Sequence, residues 1–302
     1  MKYLVIGAGG TGGCIGGFMH KAGKDVTLIA RGAHLEAIQN KGLTIETPNG
    51  NFSTMIPAFD MESYNDSPDV IFVCVKGYSI DDAINFIKKI STDDTIVIPI
   101  LNIYGTGGKM QEKLPNILVT DGCIYIASQI KEYGCIQMNG AIFKVVYGVR
   151  NASEYDPRLE IIAKDLKESN ITPLLSDNIQ RDALKKFSYV SAAAACGQYY
   201  NIAAGPMQVP GKKRDTFIAL IREIEALAKA MGIEFGEDMV KTNTSILDNL
   251  TEGASTSMQR DIEAGKPSEW DGLILEVVRL GKKYGIDVPT YKMISKACNV
   301  KD

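Results

Sequence analysis

Gly7-Ala8-Gly9-Gly10-Thr11-Gly12 is the stretch that decides the fold. It has the spacing G-x-G-x-x-G, follows the apolar run Tyr3–Gly7 and opens a segment patterned as a helix. In that context each glycine has a physical purpose: Gly7 permits the tight turn, Gly9 lets the backbone approach a pyrophosphate, and Gly12 lets helix and strand pack closely. The helix N-terminus offers free backbone N–H groups to the anion. A merely structural glycine turn is the competing reading. The strand-like run Asp25–Ala30 that follows completes a β-α-β unit and favours the dinucleotide.

Outward from this unit the same alternation continues. Val70–Val75 and Thr95–Leu101 read as buried strands, with Ile80–Ile90 as a helix between them. That order predicts a parallel sheet with helices on both faces. Further strand-like runs occupy Ile117–Thr120, Cys135–Met138 and Ala141–Val149, and Asn139-Gly140 predicts a hairpin between the last two. From about Ile179 the texture is helix after helix. Phe217, Leu220, Ile221, Ile224, Leu227, Ala228 and Met231 keep the helical period, as do Trp270, Leu273, Ile274, Val277, Leu280, Gly281 and Tyr284, with Gly232 and Gly285 as C-terminal caps. The expected class is α/β: a Rossmann-type dinucleotide-binding domain over residues 1–174, then an all-helical substrate domain over 175–302, the boundary lying near Ile171–Asn178.

The 302 residues suit two domains. With 33 basic and 36 acidic side chains, nothing points to nucleic acid or an anionic membrane. Apolar runs such as Thr95–Leu101 fall far short of the ~20 residues of a membrane span. The chain enters a strand straight after Met1-Lys2 without signal-peptide anatomy, so a cytoplasmic protein is expected. Only two histidines, His20 and His34, and six scattered cysteines without a C-x-x-C pair argue against a metal site, a His-centred triad or a disulfide frame.

The end of the second strand selects the cofactor. Where an acidic residue would bind the ribose of NAD, this chain has Arg31, whose guanidinium suits the 2′-phosphate of NADP(H). Lys76, ending the third strand, stands where such sheets bind ligands and is a candidate phosphate contact. Each also has a plain reading as a solvated surface cation.

Arg31-Gly32-Ala33-His34-Leu35 continuing to Gly42-Leu43 resembles ketopantoate reductase (2-dehydropantoate 2-reductase), and the resemblance runs almost end to end. Val73-Cys74-Val75-Lys76, Asn102 followed by Gly105, Lys185-Lys186-Phe187, Ser257-Met258, Asp261, Glu269-Trp270-Asp271, Gly285-Ile286 and Pro289 fit it in order. The resemblance implies NADPH-dependent reduction of a 2-oxo acid, 2-dehydropantoate to pantoate in pantothenate biosynthesis. It implies Lys186 as general acid, Ser257 and Glu269 as substrate contacts, and Asn102 between cofactor and substrate. The chemistry needs such an acid, because hydride addition to a ketone leaves an alkoxide that must be protonated. Structural readings stand beside each role: a solvated helix lysine, a helix-start hydroxyl at Ser257, a dipole-favoured carboxylate at Glu269, a turn asparagine at Asn102. Expected partners are a small 2-oxo acid and, as an assembly, a homodimer.

The chain departs from the family where substrate would be recognised. Val190, Ala194 and Ala204 stand at usually polar positions, Ile103 follows Asn102 where glycine is usual, and Ile274-Leu275 replaces a second Asn-Gly. These departures open two alternatives: a reductase for a more apolar 2-oxo acid, and a non-catalytic NADP-binding sensor or interaction protein.

Overall fold

A computed structural model describes residues 1–298. They divide into two units: Met1–Leu101 with Gly105–Ile179, and Asn102–Tyr104 with the chain from Gln180 onward.

The first unit is built from β1 (Lys2–Ile6), α1 (Gly10–Lys21), β2 (Asp25–Ile29), α2 (Gly32–Lys41), β3 (Leu43–Glu46), β4 (Phe52–Thr54), β5 (Ala58–Phe59) and β6 (Val70–Val73). Then come α3 (Ile80–Ile90), β7 (Ile96–Pro99), α4 (Thr106–Lys113), β8 (Leu118–Val119), β9 (Asp121–Glu132), β10 (Cys135–Gly148), α5 (Arg158–Glu168) and β11 (Thr172–Leu175). Six strands form a parallel sheet in the order β5-β2-β1-β6-β7-β8. Strand alternation buries both faces. Tyr3, Val5, Val70, Phe72, Ile96 and Ile98 join α1 in one core, while Leu4, Ile6, Ile71, Val73 and Val97 meet α3 and α4 in another. The strand order reverses between β1 and β6, so the turns after these two strands flank the crevice where such sheets bind ligands.

Two expectations are corrected. Asn139-Gly140 does not turn a hairpin. It lies within the continuous strand β10, at a register shift between Asn139 and Lys144, with Gly140 at φ 77°. The turn is Tyr133-Gly134, where Gly134 has φ 80°, and it joins β10 to β9, a strand the polar pattern of Asp121–Glu132 concealed. The unit boundary falls after Ile179 rather than after residue 174, because β11 pairs with β10 at Lys144–Tyr147 and stays with the sheets.

The second unit is helical: α6 (Ile179–Tyr200), α7 (Gly205–Gln208), α8 (Lys212–Ala230), α9 (Met239–Asp248), α10 (Ser257–Glu263), α11 (Glu276–Tyr284) and α12 (Pro289–Ala297). The stripe from Phe217 to Ala228 is its core, and Gly232 and Gly285 take the positive φ of C-terminal caps. The regular helix expected from Trp270 to Tyr284 instead begins as a π-turn at Asp271–Leu275. One carbonyl there, that of Leu273, accepts from the buried hydroxyl of Ser191 on α6, which also shares a hydrogen bond with Tyr291 on α12.

Candidate functional site

The glycine-rich turn is shaped as its spacing requires. Gly7 has φ 98°, a conformation L side chains avoid, and its N–H and that of Ala8 donate to the Ile29 carbonyl at the end of β2. A Cβ on Gly12 would run into the Gly7 carbonyl oxygen and the Cys74 side chain, which fixes α1 close against β1 and β6. A Cβ on Gly10 would stand 2.8 Å from the Ser128 backbone of β9. Gly9 differs: it caps α1, and nothing lies within 4 Å of where its Cβ would stand. The first turn of α1, Gly10-Thr11-Gly12, carries no acidic residue and Gly9 no capping side chain, so no side-chain cap takes up the N–H groups of this helix start. Such a helix start, with no side chain over it, suits an anion.

Arg31 is exposed at the N-cap position of α2, just past β2. Lys76, half-buried, follows β6 and precedes a single 3₁₀ turn at Gly77–Ser79. Sequence reasoning gave no role to His34. It is buried, its Nδ1 accepts the Gly134 N–H at 3.1 Å, and its Nε2 reaches the Ala8 carbonyl at 2.8 Å. The pair of contacts assigns the neutral tautomer with the proton on Nε2, and burial lowers the ring's pKa. His34 thus ties the cofactor turn to the β9–β10 hairpin. No local pattern could show this, since Gly134 lies a hundred residues away.

The helical unit carries the remaining residues. Asn102 precedes the sheet-borne helix α4 in sequence yet groups with the helical unit, a correction to its expected place in the first domain. Within that unit Lys186 Nζ donates to Asn102 Oδ1 at 2.7 Å. Beside it Tyr104 packs its ring on Phe187, 6.0 Å between centroids. Lys185, one residue away, is instead paired with Glu237 at 2.6 Å.

Ser257 is half-buried in the first turn of α10, but the capping role belongs to its neighbour. Thr256 accepts from the Gln259 N–H, and Gln259 returns a bond to the Thr256 N–H. Gln259 also stands where a Cβ on Gly197 would be, docking α10 against α6. Glu269 is 4% exposed, and the local cap is again a neighbour, Ser268, whose hydroxyl accepts from Trp270 N–H at 3.4 Å. A carboxylate held this deep is costly unless it serves a partner. The geometry brings Lys186 and Asn102 into direct contact, and Ser257 opens α10 while Glu269 lies just ahead of the π-turn at Asp271–Leu275. Among the departures, Ala194, Ala204 and Ile274 are sealed in the helical core, while Ile103 and Val190 stay partly exposed.

Comparison with known proteins agrees with both halves. The family model described as ketopantoate reductase PanE/ApbA matches residues 3–152, and its C-terminal companion matches residues 178–302. The chain is 27% identical to a 2-dehydropantoate 2-reductase of Pyrococcus horikoshii, over 96% of this chain and 93% of that one. It is 26% identical to the Bacillus subtilis protein named uncharacterized oxidoreductase YkpB, over 97% and 96%. The solved structure of a D-mandelate dehydrogenase with NADH and anilino(oxo)acetate shares the fold, with TM-score 0.86 at 19% identity over 98% of this chain and 97% of that one.

Proposed function

The chain belongs to the ketopantoate reductase family, whose members are oxidoreductases, and from that premise we propose that it reduces a 2-oxo acid to the 2-hydroxy acid with NADPH. The observation that carries the reading is the hydrogen bond from Lys186 Nζ to Asn102 Oδ1. When bound, NADPH supplies a hydride to the substrate's carbonyl carbon. Lys186 delivers the proton that the carbonyl oxygen takes up as it becomes a hydroxyl, and Asn102 aims the ammonium by accepting one of its N–H groups. Ser257 and Glu269 orient the acid. Gly7, Ala8, Gly9, Gly10, Thr11 and Gly12 hold the pyrophosphate, Arg31 the 2′-phosphate, and Lys76 a further phosphate oxygen.

The relatives' names make 2-dehydropantoate the first substrate to test, with pantoate for pantothenate biosynthesis as product. Val190, partly exposed one helical turn beyond Lys186, favours a second reading in which the acid has a more apolar side chain. The test is NADPH oxidation against a panel of 2-oxo acids. Turnover with at least one is expected; none across the panel removes the enzymatic reading in favour of a binding protein. Titrating both cofactors against wild type and Arg31→Ala tests the phosphate assignment. A hydrogen bond to a charged group contributes about 1.5–3 kcal/mol, so the variant's NADPH affinity should fall roughly 10- to 100-fold while NADH affinity stays put. Equal wild-type affinity for the two cofactors refutes it.

A further inference from the structure

Two apolar residues stand close to the Lys186–Asn102 pair along the chain, and one of them is keyed into place. Ile103, directly after Asn102, sends its side chain into the space a Cβ on Gly272 would fill, so any larger residue at 272 would displace it. Gly272 lies in the π-turn three residues beyond Glu269, so this contact joins the Asn102 loop to the segment that carries the buried carboxylate. Val190 follows Lys186 by one helical turn on the same face of α6, and both it and Ile103 keep part of their surface open. Resting on the 2-oxo acid reading above, we propose that Ile103 and Val190 are specificity-determining residues that flank the substrate's side chain, so that the site takes an apolar side chain and offers no partner to a hydroxyl there.

The physical consequence is a particular pattern of selectivity. A site built to hydrogen-bond a substrate hydroxyl rejects the analogue lacking it by about 10⁴–10⁵, whereas an apolar pocket discriminates only about 10²-fold. The decisive pair is 2-dehydropantoate and 3,3-dimethyl-2-oxobutanoate, the same acid without its terminal hydroxyl. With NADPH, the wild-type kcat/KM for the deoxy acid should equal that for 2-dehydropantoate within tenfold or exceed it. A more than tenfold preference for 2-dehydropantoate overturns the proposal and leaves the 2-oxo acid reading intact. Val190→Asn adds a hydrogen-bonding side chain and should move the ratio at least tenfold toward the hydroxylated acid, with NADPH affinity unchanged. Ile103→Ala should broaden acceptance of larger side chains. A ratio unmoved by both variants also overturns it. If the wild type turns over neither acid, the wider panel decides the enzymatic reading, and calorimetry of the two product 2-hydroxy acids in the presence of NADP⁺ still decides this point: more than tenfold tighter binding of pantoate overturns it, and equal or tighter binding of the deoxy product upholds it.

Discussion

Lys185 and Lys186 are adjacent in sequence and opposite in circumstance. One is paired with Glu237 near the surface, the other donates to Asn102. A partly exposed ion pair contributes about 0–1 kcal/mol, so Lys185→Ala should leave turnover within a few-fold and stability nearly unchanged. Lys186→Ala should lower kcat by ~10²–10⁴ if its ammonium is the proton donor, while NADPH affinity holds. Steady-state kinetics of both variants decide it, and equal small losses would remove Lys186 from the mechanism. His34 supplies a pH dependence of definite sign. Its folded form is neutral and its pKa is lowered by burial. Its contribution is therefore complete above about 6.5, the value of an unfolded histidine, and declines as pH falls below it, because the unfolded chain takes up a proton that the fold resists. Urea denaturation at pH 7.5, 6.5 and 5 should show His34→Ala less stable at pH 7.5 yet losing less than wild type on acidification. An unchanged slope between 6.5 and 5 contradicts a neutral His34 in the fold.

At the scale of elements, the turn between β1 and α1 separates two duties that a sequence motif merges. Gly9 stands in open space and Gly12 against backbone. Gly9→Ala should therefore keep stability within about 0.5 kcal/mol, as surface changes do, while the added methyl blocks the pyrophosphate and weakens NADPH binding tenfold or more. Gly12→Ala drives its methyl into the Gly7 carbonyl oxygen, which cannot swing aside as a side-chain tip can, and should cost about 1–3 kcal/mol as overpacking, with cofactor binding lost alongside. Thermal melts and cofactor titrations of the two variants separate the duties; equal destabilisation by both would refute the distinction. The same scale explains the misread hairpin. Asn-Gly is a local turn signal, but β9 pairs with β10 on both sides of it, at Cys135–Asn139 and at Lys144–Gly148, and the ladder outweighed the local preference by taking the glycine in as an irregularity.

At the scale of the whole molecule, each unit has its own core, and the single tryptophan, Trp270, is buried in the helical one. NADP⁺ at 100 times its Kd should stabilise the unit that binds it by about 2.7 kcal/mol. Hydrogen exchange at the β1 and β6 amides should slow accordingly, with Trp270 fluorescence as the separate report on the helical unit; unchanged protection in β1 and β6 would refute the site in the first unit. Among the described residues no helix is long and apolar enough to cross a membrane. The sequence by itself determined the parallel sheet, the glycine turn and the helical second half, because strand alternation, helical period and turn glycines act over a few neighbouring positions. The tertiary structure alone decided that Asn102 joins Lys186, that His34 reaches Gly134, that Ile103 claims the space at Gly272, and that Thr256 and Ser268 take the caps offered to Ser257 and Glu269. Three of these contacts join groups far apart in the chain, and the caps turn on which of two adjacent side chains reaches a given N–H. Neither is a property of local pattern; each is fixed only when packing assigns every buried polar group its partner.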